Sequence, residues 1–315
     1  MIILGVESTA HTFGIGIVDD QGNILSNQTD SYSNPEGGML PDKVVLHHEQ
    51  VAEELLQKAL AEAGIGWEDI DLIAYSAGPG IDPVLWVGYK QAKAWAEEFG
   101  KRLVGVNHCA AHLSIGKLVN KLDDPVYLYV SGVNTQVIVY DGGKYRVMGE
   151  TLDIGLGNML DKLGRVMKLG FPAGAKMEEL ALKGEYVELT YVVKGMDTSF
   201  SGILNKVKQL LEKGISKEDL CFSVQETCFA MMAEVSERAL AHTGKKELLL
   251  VGGVGANKRF CAMLEIMCKE RGVVFSKVPM KLAGDNGAMI AWEGFLRKDE
   301  YGDEGVKTFW RTDEV

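Results

Sequence analysis

Apolar positions at the start of the chain fall in short runs separated by small polar residues. From Ile2 to Asn27 the order is an apolar strand, a Ser/Thr turn, a second apolar strand, an Asp-x-Gly turn (Asp20 to Gly22) and a third strand. The same order recurs from Leu128 to Thr151, with Asp141-Gly142-Gly143 at the second turn. Two copies of one plan predict two related lobes.

A second repeated unit follows each meander. Leu72 to Val106 and Leu248 to Val278 both read as strand, glycine turn, helix, strand, which is the crossover that builds parallel sheet. A hairpin meander followed by a crossover, present twice, predicts an α/β protein. Its two duplicated lobes would be of the actin/sugar-kinase (ASKHA) type, with a nucleotide cleft between them. The expected boundaries are 1–122 and 123–315, with an insertion near 160–202 and a final helix that packs back on the first lobe. Helical stripes run from His47 to Ala63, with Val51, Leu55, Leu56, Ala59 and Leu60 on one face, and from Glu218 to Thr243.

Composition narrows the function. Thirty-three basic against 44 acidic residues give a net charge of −11, so general attraction to phosphates would not hold a nucleic acid; a local basic patch or a partner is required. No run of about 18 apolar residues occurs, which excludes a helical membrane span. The first residues lack the basic flank and cleavage site of a signal peptide, so a cytoplasmic location is expected. Five cysteines without CxxC spacing support neither a disulfide framework nor a zinc knuckle. They read as small buried hydrophobes.

His108 and His112, in VNHCAAH, are four residues apart, and on a helix beginning after the strand at 103–106 both imidazoles share a face. That is a common way to present two metal ligands. A peptidase signature would need Glu after the first His, where Cys109 stands. Asp285 precedes a helix expected from Ala288, and its carboxylate serves either as the cap or in the cleft. Tyr129 opens the second lobe's turn and is either core or ligand. Two imidazoles, a phenolate and a carboxylate suit iron or zinc better than magnesium.

The turns Ser131-Gly132-Val133-Asn134-Thr135 and Gly252 to Asn257 each follow a strand and offer backbone N–H groups to an anion, although neither has a Walker lysine or Rossmann spacing. Lys194 to Gly202 is polar and glycine-bounded, as a functional loop or a solvated turn would be, with Lys194 and Asp197 as possible contributors to catalysis. Lys162, Arg165, Lys168, Lys176, Lys206 and Lys208 make the middle of the chain locally basic, through either a solvated face or a docked polyanion.

Taken together, GVESTAHTFGIGIV, VGVNHCAAH, LYVSG with NTQVI, QET with FAM, LLVGGV, GDNGAMIAW and FWRTDEV resemble one family over nearly the whole chain. It is the archaeal and eukaryotic tRNA threonylcarbamoyladenosine synthase, the catalytic subunit of the KEOPS complex. The resemblance implies an acyltransferase that passes the threonylcarbamoyl group of threonylcarbamoyl-AMP to N6 of the adenosine 3′ of the anticodon, in tRNAs reading codons that begin with A. It implies one divalent metal, iron or zinc, on His108, His112, Tyr129 and Asp285. The adenylate, or ATP/ADP, would be lined by Tyr129, Val130, Ser131, Gly132, Val133, Asp161, Gly174, Glu178, Gly253 and Asn257. It also implies a small atypical kinase, a dimerising subunit and a tRNA-binding subunit as partners, with tRNA reached through the complex.

The chain departs from the family pattern at Leu40, within Gly38-Met39-Leu40-Pro41 where the family has a histidine, and at Trp86, where it has an arginine. It departs again at Val133, Ala173 and Ala175, where glycine or proline shapes the pocket. Val133 is the most pointed, because a β-branched residue replaces a glycine free to take positive φ. These substitutions leave open an alternative, a non-catalytic nucleotide-binding paralogue acting as scaffold or regulator. A phosphotransferase of the same fold would need a carboxylate base that no residue singles out.

Overall fold

A computed structural model describes residues 1–33 and 40–315. Gly38 and Met39 of the departing motif therefore lie outside the described residues. The chain divides into two compact units, Met1–Val119 with Gly284–Val315, and Asn120–Ala283.

The first unit holds β1 (Ile2–Glu7), β2 (Thr12–Asp19), β3 (Ile24–Ser31), α1 (Pro41–Ala63), β4 (Leu72–Gly78), α2 (Asp82–Glu98), β5 (Arg102–Asn107) and α3 (His108–Asn120). The second holds β6 (Val126–Val130), β7 (Thr135–Asp141), β8 (Lys144–Glu150), α4 (Leu156–Val166), α5 (Gly174–Ala181), β9 (Val193–Lys194), β10 (Asp197–Thr198), α6 (Ser201–Glu212), α7 (Lys217–Thr243), β11 (Glu247–Val251), α8 (Lys258–Arg271), β12 (Val274–Lys277) and α9 (Met280–Ala283). The last helix, α10 (Gly287–Arg297), groups with the first unit.

The repeat read from the sequence becomes a repeat of topology. The sheets run β3-β2-β1-β4-β5 and β8-β7-β6-β11-β12, antiparallel within each meander and parallel across each crossover. In each sheet the strand at the centre pairs on both sides, so β1 and β6 are almost wholly buried and read as continuous apolar runs. The insertion near 160–202 forms α5, the end of α4 and the β9–β10 hairpin, all within the second unit.

Membership of α10 in the first unit has a steric basis. A Cβ on Gly16 of β2 would lie 2.0 Å from the Ala288 nitrogen, and one on Gly287 would lie 2.1 Å from the Gly16 nitrogen. Helix and sheet therefore meet backbone against backbone. Ala288, Met289, Ile290 and Ala291 are then fully buried against β1, β2 and β4. All five cysteines are free and four are buried, as expected. Among the described residues no helix is long and apolar enough to cross a membrane.

Candidate functional site

The site is built at two helix starts in the first unit. Asn107 ends β5 and caps α3, its Oδ1 accepting from Ala110 N at 3.0 Å, while its Nδ2 donates to the carbonyls of Trp310 and Arg311. His108 and His112 then fall on one face of α3, both buried, with rings 4.7 Å apart at 88°. Asp285 comes to them from the start of α10. Its Oδ1 lies 3.2 Å from His112 Nε2 and 3.6 Å from His108 Nε2. The two readings of Asp285 resolve here, because Asn286 is the cap, its Oδ1 accepting from Met289 N at 3.1 Å, and the Asp285 carboxylate is left to the imidazoles.

Behind His108 stands Glu7, which sequence reasoning did not single out. Glu7 Oε2 accepts from His108 Nδ1 at 3.0 Å, and Oε1 accepts from Thr9 N at 2.8 Å and Thr9 Oγ1 at 2.5 Å. The buried carboxylate holds the proton of Nδ1, so in the neutral form of His108 that could bind a metal the lone pair is on Nε2, facing Asp285. One signal for it was available: Glu7 is an acid closing the otherwise apolar strand β1.

Electrostatics follow from this packing. Burial alone would depress His108, but the charge and hydrogen bond of Glu7, helped by Asp285, lift it to about 9. Burial lowers His112; the Asp285 hydrogen bond opposes this and a charged His108 adds to it. Burial would raise Asp285, yet the His112 hydrogen bond and the two imidazoles hold it well below the usual carboxylate range. The ligand atoms of His108, His112 and Asp285 all lie within 4.8 Å of one another. Two imidazole nitrogens and a carboxylate oxygen, with a second buried carboxylate behind, fit a borderline divalent ion such as zinc or iron.

The remaining site residues lie in the second unit. Tyr129 is buried on β6, opposite Gln136. In the turn after β6, Ser131 N donates to Asn134 O at 2.8 Å and Asn134 N to Ser131 Oγ at 3.1 Å. The first turn of α4 closes on it, with Gly157 N on Ser131 O and Asn158 N on Gly132 O. Gly132 and Val133 are exposed, and their N–H groups have no hydrogen-bond partner among the described residues. Neither residue has positive φ, so the strain expected of Val133 is not present: the turn closes through Ser131 and Asn134 without a left-handed residue.

Other members of that set take part in the scaffold. Asp161 Oδ1 accepts from Ala173 N at 3.0 Å, and Glu178 Oε1 from Lys258 N at 2.8 Å. Asn257 caps α8 through Phe260 N and donates to Gln225, while Gly174 and Gly253 have open space where a Cβ would be. Lys194 is exposed and Asp197 Oδ1 accepts from Glu150 N at 2.9 Å, both within the β9–β10 hairpin. Of the departures, Ala173 is buried against Gly164, Ala175 is exposed, Trp86 stands edge-on to Tyr89, and Leu40 is exposed ahead of α1.

Residues 23–292 match the family described as TsaD, tRNA N6-adenosine threonylcarbamoyltransferase. A Thermococcus kodakarensis protein named tRNA N6-adenosine threonylcarbamoyltransferase is 52% identical, over 100% of this chain and 98% of its own. A Methanobrevibacter smithii protein named as a probable bifunctional tRNA threonylcarbamoyladenosine biosynthesis protein is 48% identical; it covers all of this chain, which spans 60% of it. Among solved structures, T. kodakarensis HypF superposes over 94% of this chain and 47% of its own at a TM-score of 0.62 and 17% identity. Component A of Acidaminococcus fermentans (R)-2-hydroxyglutaryl-CoA dehydratase does so over 94% and 98%, at 0.58 and 14%. These two similarities concern the fold alone, and they place it in the two-lobed class expected from the repeats.

Proposed function

The chain belongs to the tRNA N6-adenosine threonylcarbamoyltransferase family, and from that premise we propose that it passes the threonylcarbamoyl group of threonylcarbamoyl-AMP to N6 of the adenosine 3′ of the anticodon. In that reaction a bond forms between N6 and the carbamoyl carbon, the carbon–oxygen bond to phosphate breaks, AMP leaves with the electron pair, and N6 gives up a proton. A mixed anhydride is already activated, so the protein's work is positioning and exclusion of water.

The observation that carries the reading is the convergence of His108, His112 and Asp285, backed by Glu7, in a chain of this family. We take these three residues as ligands of one divalent ion, iron or zinc, with Tyr129 as a fourth by family resemblance. When bound, such an ion supplies Lewis-acid polarisation of a carbonyl or phosphoryl oxygen. Glu7 and Thr9 hold the tautomer and orientation of His108. The docking of α10 on β2 fixes where Asp285 stands. Gly132 and Val133 offer two unpartnered N–H groups, which suits a phosphate of the adenylate or of ATP/ADP.

Partners are proposed on charge and resemblance: a small atypical kinase, a dimerising subunit and a tRNA-binding subunit, in the cytoplasm. The non-catalytic paralogue is the weaker reading, since a pure scaffold gives no reason for two buried imidazoles, a buried carboxylate and a half-buried one in one cluster. The test supplies labelled threonine, bicarbonate, ATP, the adenylate-forming enzyme, the partner subunits and this chain to an unmodified tRNA. Label in the tRNA that disappears with His108→Ala is expected. No label with the wild-type chain, despite nucleotide binding, would favour the paralogue.

A further inference from the structure

We propose that the outer face of α4, with the loop leading to α5, is a docking surface for the tRNA substrate, in which basic side chains take backbone phosphates and Phe171 stacks on an unpaired base. This rests on the transferase reading above. Helix α4 buries Leu156, Met159, Leu163 and Gly164, and turns Asn158, Lys162 and Arg165 outward at positions i, i+4 and i+7, one continuous stripe. The stripe begins at the candidate phosphate turn, because Asn158 N donates to Gly132 O at 2.9 Å. Seven residues of helix span about 10 Å, so Arg165 stands within reach of a tRNA strand that brings its adenosine to an adenylate held at that turn.

The charge here is opposite in sign to that of the chain as a whole. From Leu156 to Met177 there are four cations, Lys162, Arg165, Lys168 and Lys176, and one acid, Asp161, which is bound to Ala173 N. All four cations are exposed, and among the described residues none forms an ion pair. Elsewhere in the same unit Arg238, Lys245, Arg259 and Arg271 are paired to acids. In a chain of net charge −11, an unpaired basic stripe with an aromatic beside it matches what a phosphate backbone and an unstacked base require. Phe171 is 67% exposed on a loop that folds back on α4 where Ala173 meets Gly164. Lys168 lies at φ 56°, a left-handed position after a helix that glycine fills at lower cost.

Lys168 gives the sharpest test. Fluorescence anisotropy with a labelled, unmodified tRNA that reads A-starting codons is measured across salt concentrations for the wild type, Lys162→Ala/Arg165→Ala, Lys168→Gly and Phe171→Ala. The slope of log affinity against log salt is expected to fall by about two for the double variant and about one for Lys168→Gly. Lys168→Gly should do so with a Tm that is equal or higher, which separates binding from folding. Phe171→Ala should weaken binding several-fold with the slope unchanged. Affinity and slope unchanged in the basic variants, or no salt-dependent tRNA binding by the wild type, would overturn the surface. So would unchanged tRNA binding with loss of an acidic protein partner. Threonylcarbamoyl transfer on the same samples keeps the two readings apart. Stripe-dependent binding without transfer leaves the surface standing and removes the activity; transfer with stripe-independent binding does the reverse.

Discussion

Gly16→Ala should unseat the helix that carries Asp285. A methyl placed there would lie 2.0 Å from Ala288 N and 2.4 Å from the Gly287 carbonyl carbon, where ordinary contacts begin near ~3.5 Å. Both neighbours are backbone, so no rotamer change relieves the overlap, and α10 must retreat by roughly 1.5 Å. Ala288, Met289, Ile290 and Ala291 would lose part of their packing against the sheet. That places the cost near the upper end of core overpacking, about 3 kcal/mol. Thermal unfolding should move down by about 6–12 °C at roughly 2–4 °C per kcal/mol. Asp285 begins 3.2 Å from His112 Nε2 and moves with the helix, so metal content by elemental analysis should fall as well. Gly202→Ala on α6, where a Cβ meets nothing and φ is not positive, is the control and should hold or raise Tm. A Gly16→Ala chain with wild-type Tm and full metal would refute the reasoning that this backbone contact positions the carboxylate.

Further outcomes follow from individual contacts. Glu7→Gln keeps an acceptor for His108 Nδ1 but removes the charge, and should weaken metal affinity about 10- to 100-fold in a chelator competition, with the fold intact. His48 is buried on α1, bonded to Ala10 O and beside His47, and burial first, then the His47 charge, pushes it down to about 4. The unfolded chain takes this proton below about 6.5, so the neutral imidazole's contribution is complete above that pH and is lost as the pH falls toward 4, by about 3 kcal/mol. His48→Gln should flatten the stability profile in that window; an unchanged slope in denaturant titrations from pH 6.5 to 4 would contradict it. Ala173→Gly removes a buried methyl seated on Gly164 and frees the unfolded backbone, so it should cost about 1–2 kcal/mol by urea unfolding, without loss of nucleotide affinity.

Much of the fold was legible because its signals are local. The turns Asp20 to Gly22 and Asp141 to Gly143 punctuate apolar runs, and both meanders formed as read. His108 and His112 were legible for the same reason, being one helical turn apart. Asp285 was half legible: acid and amide stand side by side before α10, and only the Asn286 Oδ1 bond to Met289 N tells which one caps. Glu7 was hidden because its partner is 101 residues away, and no periodicity connects a strand end to a distant helix start. The final helix was expected against the first lobe, but the backbone-to-backbone contact that seats it was hidden, since glycines in β1 and β2 look like weak strand positions until the helix lies against them. Val133 misled because a family glycine suggests positive φ, whereas Ser131 and Asn134 close this turn without one.

The central claim is that His108, His112 and Asp285 form one metal centre on which transfer depends. Elemental analysis of the purified chain, alongside His108→Ala/His112→Ala matched for Tm, tests it most directly. About one iron or zinc per wild-type chain and none in the folded double variant is the expected result; equal metal in both would contradict it.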